Sequence, residues 1–124
     1  AGQMDYLKRY GGEFNSIVLD INVDDVGYKR GGSSFSLYEC SAELQHKAEV
    51  IFRGFDGVVA GEQWFNGDHM LFVQRRVPAL AFTSEKMSEL MMTVTHTPLD
   101  TPEIIESRKL VEVANALNSL VRAI

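Results

Sequence analysis

The 124-residue chain carries 12 basic and 17 acidic side chains, a formal net charge of −5, with 45% hydrophobic and 23% charged residues. These are the values of an ordinary folded domain long enough to bury a core, and they exclude a disordered chain. No run approaches the length of a transmembrane helix, so a soluble protein is expected. No basic cluster exceeds Lys29-Arg30 or Arg75-Arg76, which argues against nucleic acid as a partner. The single cysteine, Cys40, can form neither an internal disulfide nor a cysteine-type zinc centre, and it fits a reducing, cytoplasmic setting. The chain opens on Ala1 without a signal segment, a start that suggests excision from something longer or a removed tag.

A short helical pattern precedes the first strand. Ile17, Leu19, Ile21 and Val23 alternate with Val18, Asp20, Asn22 and Asp24, which predicts a strand that enters a loop at Asp24-Asp25. Open α/β sheets gather their ligands outside the carboxyl ends of the strands, which is where Asp24 would stand. Asp24-Asp25 ahead of Gly27 also has the composition of a plain turn. Gly31 to Ser34 punctuates the chain before a second strand at Phe35 to Tyr38, and Ser41 then caps a helix from Ala42 to about Phe52. Leu44, Ala48 and Ile51 form the apolar stripe of that helix.

Val58 to Ala60 is a brief apolar run, Gly61 to Gly67 a loop that delivers Asp68-His69, and Met70 to Val73 a helical turn. Pro78 to Ser84 reads as a buried strand opened by its proline, with Ser84 capping a short helix through Met92. Met87, Met91 and Met92 are expected in the core, and Trp64 and Phe65 line either the core, the default, or a substrate pocket. Thr101 followed by Pro102 is a helix start, and Ile104, Leu110, Val113, Leu117, Leu120 and Ile124 mark a long amphipathic C-terminal helix. Strands and helices interleave throughout, so the expected fold is α/β: three layers, a mostly parallel or mixed sheet, and helices on both faces.

Three phrases occur in order: Gly67-Asp68-His69-Met70-Leu71-Phe72, Val77-Pro78-Ala79-Leu80-Ala81-Phe82-Thr83-Ser84 and His96-Thr97-Pro98-Leu99-Asp100-Thr101. Preceded by the turn Asn22-Val23-Asp24-Asp25-Val26-Gly27, the set resembles the zinc-dependent aminopeptidase family, which also includes glutaminyl cyclases and the transferrin-receptor ectodomain. The resemblance covers nearly the whole chain, and it implies that residues 1–124 are the C-terminal part of a single dinuclear zinc-peptidase domain, incomplete relative to the family's catalytic domain.

By that similarity Asp24 is a carboxylate ligand to one zinc and His96 the terminal histidine ligand to the other. Asp68 and His69 stand beside the site as structural or substrate-facing support. Asp100 accepts a hydrogen bond from the His96 ring or caps the last helix. On the residues alone, His96 is also an ordinary loop histidine, and Asp68-His69 a helix cap followed by a partly buried histidine.

The family's other ligands, a His, a metal-bridging Asp and a Glu-Glu pair whose first member is the general base, lie upstream and have no counterpart here. Before Asp24 the acids are Asp5, Glu13 and Asp20, with no histidine. Some members place a Tyr before the ligand His to stabilise an oxyanion; this chain has Thr95 there. No catalytic residue is therefore assigned within the chain. Two ligands shared between two ions leave each with one donor, against about three protein ligands at a catalytic zinc, so the isolated chain is expected to be inactive and not to hold zinc tightly.

The function implied for the complete protein is zinc-dependent hydrolysis of the N-terminal peptide bond of peptides. The alternative is a non-catalytic α/β interaction module derived from that fold. A metal-free hydrolase using His69 or His96 with a hydroxyl lacks the Gly-x-Ser-x-Gly elbow. A sheet truncated on its upstream side would leave an unpaired edge, from which self-association is expected.

Overall fold

The structure is a computed structural model that describes residues 2–93 and 97–124. Its centre is a four-stranded mixed sheet in the order β1-β4-β2-β3, built from β1 (Asp20–Val23), β2 (Ser33–Tyr38), β3 (Val58–Ala60) and β4 (Ala79–Ser84). β1 runs parallel to β4 and β3 parallel to β2, while β2 and β4 are antiparallel across the middle of the sheet. The helices are α1 (Gly2–Tyr10), α2 (Ala42–Phe52), α3 (Met70–Val73), α4 (Met87–Thr93) and α5 (Ser107–Ala123), with 3₁₀ turns at Gly11–Ser16 and Pro102–Ile104. None among the described residues is long and apolar enough to cross a membrane.

The pleat of β4 separates the two faces. Leu80 and Phe82 point to one side and pack with Phe35, Ala48, Phe52, Val113, Ala116 and Leu120, which seats α2 and α5 on that face. The Phe52 ring lies 4.8 Å from Phe35 and 5.3 Å from Phe82 in edge-on contacts. Ala79 and Ala81 point to the other side, where their small size admits Tyr38, Trp64 and Val73. Phe72 of α3 then meets Tyr6 of α1 and Phe14 of the first 3₁₀ turn, so helices cover this face as well. The α/β architecture with a mixed sheet is as expected.

Local capping explains α2: the Ser41 side chain accepts a hydrogen bond from the Leu44 N–H at 3.1 Å. Elsewhere long-range bonds override local signals. The C-terminal helix does not begin at Thr101, because Lys29 N–H donates to the Ile104 carbonyl and Glu106 N–H to the Gly27 carbonyl, each at 2.8 Å. These bonds and the Tyr28–Ile105 bridge hold residues 105 and 106 extended, and α5 starts only at Ser107. Ser84 does not cap α4, since its hydroxyl donates to the Asp25 carbonyl at 2.5 Å and accepts from Tyr28 N–H at 3.4 Å. Met91, Met92 and Phe65 are exposed, which corrects their expected place in the core.

Candidate functional site

The turn after β1 emerges at the carboxyl end of the β1–β4 pair. Asp24 N–H still donates to the Phe82 carbonyl at 3.0 Å, while its side chain is exposed. The chain then reverses through Asp25 at φ 55° and Gly27 at φ 90°. Gly27 is required twice over, since a Cβ there would lie 2.7 Å from Leu110 Cδ2 in a backbone region that L side chains rarely adopt. Ser84, at the end of β4, pins this turn through the Asp25 carbonyl. Asp25 and Asp100 line one small cleft with Tyr28 and Leu90, so the segment that follows His96 returns to the Asp24 turn. His96 itself lies outside the described residues. Asp100 is exposed, and its N–H donates to the Thr97 carbonyl at 3.0 Å.

Below this turn, His69 is fully buried and binds with both ring nitrogens. Nε2 lies 2.9 Å from the Trp64 carbonyl, which can only accept, so Nε2 carries the proton. Nδ1 then accepts from Asn22 Nδ2 at 3.2 Å. The imidazole is held between the Trp64 indole, at 4.5 Å between centroids, and the Tyr38 ring, at 4.7 Å. The Tyr38 hydroxyl extends the network, donating to the Trp64 carbonyl at 2.9 Å and accepting from Trp64 N–H at 2.8 Å. With both nitrogens engaged, His69 has no lone pair for a metal. It ties the Asn22 turn to the Trp64 loop, joining two of the sequence phrases across 47 residues.

Asp68 is exposed and accepts from Gln3 Nε2 at 2.8 Å. It also faces Asp20, which sequence reasoning passed over. Asp20 sits in β1 two residues before Asn22, on the same side of the pleat, and its Oδ2 is buried without a hydrogen-bond partner. Burial, and then the Asp68 charge, push the Asp20 carboxyl up to about 6. The sequence carries no local signal of this, because Asp20 belongs to the polar set that alternates with Leu19 and Ile21.

A carboxyl raised in the folded state keeps its proton longer than in the unfolded chain, where it titrates near about 3.9. Its contribution is therefore most favourable below about pH 4 and is lost as pH rises through about 6. Asp20→Asn is expected to raise stability by about 1 kcal/mol near pH 7.5, a value discounted because the residue is only partly buried, and to be close to neutral near pH 3.5. Urea unfolding at the two pH values checks this; an equal effect at both would show that the Asp20 carboxyl is not raised by burial and the Asp68 charge.

Among the described residues no three His, Cys, Asp or Glu side chains gather closely enough to hold a metal ion. The exposed Asp24 carboxylate fits one oxygen position of a zinc shell, and the described residues do not complete that shell. Compared with known proteins, the chain matches no family model, no curated protein and no solved structure.

Proposed function

We propose that the chain is the C-terminal part of a dinuclear zinc aminopeptidase domain, in which Asp24 and His96 each hold one of two zinc ions and the substrate is the N-terminus of a peptide. One observation carries this reading: the separate sequence phrases meet at one end of the sheet. Asn22 binds His69, Ser84 binds the Asp25 carbonyl, and Asp100 shares a cleft with Asp25. That convergence at the carboxyl ends of β1 and β4 is the arrangement in which loops of an α/β sheet assemble a ligand site.

Zinc bound there would supply a polarising Lewis acid and an activated water. The chain's own contribution is positional. Ser84 and the bonds from Lys29 and Glu106 hold the Asp24 turn in one conformation, and His69 fixes the strand beneath it. The general base and the remaining ligands belong to residues upstream of Asp24 in this reading.

The test uses the complete product of the natural gene. Asp24→Ala and His96→Ala are each expected to lower zinc content by roughly half and to remove release of N-terminal residues, with the fold intact by circular dichroism. Unchanged zinc and activity in either variant removes that residue from the site. A complete product that binds no zinc would favour the alternative, a non-catalytic interaction module. That reading draws on β1 as an edge strand: Asp20 and Asp24 direct their N–H groups to β4, so Ile21 and Val23 turn theirs to the open side, with Val18 and Val23 exposed beside them. Self-association through this edge belongs to the same proposal.

A further inference from the structure

The loop between β3 and α3 carries the dipeptide Asn66-Gly67, immediately before Asp68-His69. Asparagine is a chemically labile side chain, and its fate depends on the backbone around it. Asn15 sits in the first 3₁₀ turn and Asn115 and Asn118 in α5, where the helical bonds fix the backbone. Asn22 lies in β1, and its carboxamide is held by His69 Nδ1 at 3.2 Å. Asn66 is exposed and, alone of the asparagines among the described residues, stands outside every helix and strand. Neither its carboxamide nor the Gly67 N–H has a hydrogen-bond partner among the described residues.

These are the requirements for an intramolecular reaction. The amide carbon Cγ of Asn66 is the electrophile, the Gly67 nitrogen is the nucleophile next to it, and no hydrogen bond holds either one away. Glycine also brings no Cβ to shield its nitrogen. The Gly67 nitrogen forms a bond to Cγ, the Cγ–Nδ2 bond breaks, and ammonia leaves with the proton of the Gly67 N–H, closing a five-membered succinimide. Water then opens the ring. Attack at the side-chain carbonyl gives aspartate, and attack at the main-chain carbonyl gives isoaspartate. Water is the only co-reactant, and nothing is oxidised or reduced.

We propose that Asn66-Gly67 is a self-modifying site, and that its isoaspartate product loosens the packing of His69. In isoaspartate the main chain runs through Cβ and Cγ, so it gains one carbon between residues 66 and 67. Gly67 has little room to absorb that change: a Cβ there would fall 2.5 Å from Trp64 Cζ3 and 2.7 Å from His69 Cε1 and Nδ1. Its carbonyl also accepts from Met70 N–H at 3.2 Å, at the start of α3. Moving Gly67 therefore presses on both rings and, through His69 Nδ1, on Asn22. The new carboxylate joins the exposed Glu62 and Asp68, and residues 58–74 contain no Lys or Arg to offset it. The inference needs no metal and does not rest on the peptidase reading.

The test holds the folded chain in warm, mildly alkaline buffer beside a synthetic peptide of residues 54–75 as the unfolded reference. Trypsin releases the same peptide from the chain, and Asn66 is its only asparagine. The folded chain is expected to gain the mass of a hydroxyl replacing an amino group at Asn66, as the peptide does, before Asn22, Asn115 or Asn118 reacts. Fragmentation of the 54–75 peptide then identifies isoaspartate. Trp64 is the only tryptophan, so its emission reports the packing beside Gly67. The modified fraction, separated by anion exchange, is expected to show a shifted emission maximum and a lower urea midpoint. Asn66→Asp, which adds the charge without lengthening the chain, should leave the emission maximum in place. Asn66→Gln, whose cyclisation needs a six-membered ring, should gain no mass over the same time. Asparagine retained at position 66 in the folded chain while the peptide converts overturns the site. An isoaspartate fraction with unchanged emission and midpoint overturns its effect on His69.

Discussion

His69→Ala is expected to lower the unfolding free energy by about 4 kcal/mol, a large share of what a domain of this size possesses. The ring is fully buried between Trp64 and Tyr38, so truncation opens a cavity that rigid sheet and loop backbone cannot collapse. It also strips the His69 partner from Asn22 Nδ2, and a buried group left unsatisfied costs about 1–3 kcal/mol, while the Trp64 carbonyl keeps only its bond from the Tyr38 hydroxyl. His69→Phe separates the two terms, since it refills the volume without restoring either bond. It should recover roughly half of the loss. Urea unfolding followed by Trp64 fluorescence provides the values. A loss below about 1 kcal/mol in His69→Ala would mean that water replaces the imidazole and that the ring does not tie β1 to the Trp64 loop.

Gly67→Ala is expected to cost about 2–3 kcal/mol, the upper part of the range for overpacking. A Cβ at this position would fall 2.5 Å from Trp64 Cζ3 and 2.7 Å from His69 Cε1 and Nδ1, all atoms of rings already held by hydrogen bonds or packing. No positive φ is involved, so space alone demands the glycine. The indole must therefore move, and the emission maximum of Trp64 should shift along with the loss of stability. In a double-mutant cycle with Trp64→Leu, the cost of the added methyl should fall by at least about 1 kcal/mol, because the nearest obstructing ring is gone. Additive effects would show that the methyl is accommodated without touching the indole.

These two residues also explain why part of the site was legible in the sequence and part was not. The run Gly67-Asp68-His69 marks a loop that delivers polar groups, but the three side chains meet different partners. Gly67 makes room, Asp68 stays exposed against Gln3, and His69 is sealed inside. Which of them is buried depends on Asn22, Tyr38 and Trp64, and Asn22 lies 47 residues from His69. Asp20 shows the same limit from the other direction. Its raised carboxyl comes from burial and from Asp68, and nothing in the neighbouring sequence signals either.

The sequence by itself determined the elements whose causes are local. Ser41 and the spacing of Leu44, Ala48 and Ile51 specify α2, and the apolar run opened by Pro78 specifies β4. It likewise determined the α/β class, because alternating strand and helix patterns leave few other ways to bury their apolar faces. Only the tertiary structure decided the strand order β1-β4-β2-β3 and the antiparallel pairing at its centre, since pairing depends on which edges meet and not on either strand alone. It also decided where α5 begins and what Ser84 binds. Thr101-Pro102 does open a helical turn, the 3₁₀ segment Pro102–Ile104, without a side-chain cap, but the Tyr28–Ile105 bridge stops it there, and Ser84 is taken by the bonds that close the Asp24 turn. Local preference is settled within a few residues, while these bonds form only after the chain has brought residues 25, 84 and 105 together.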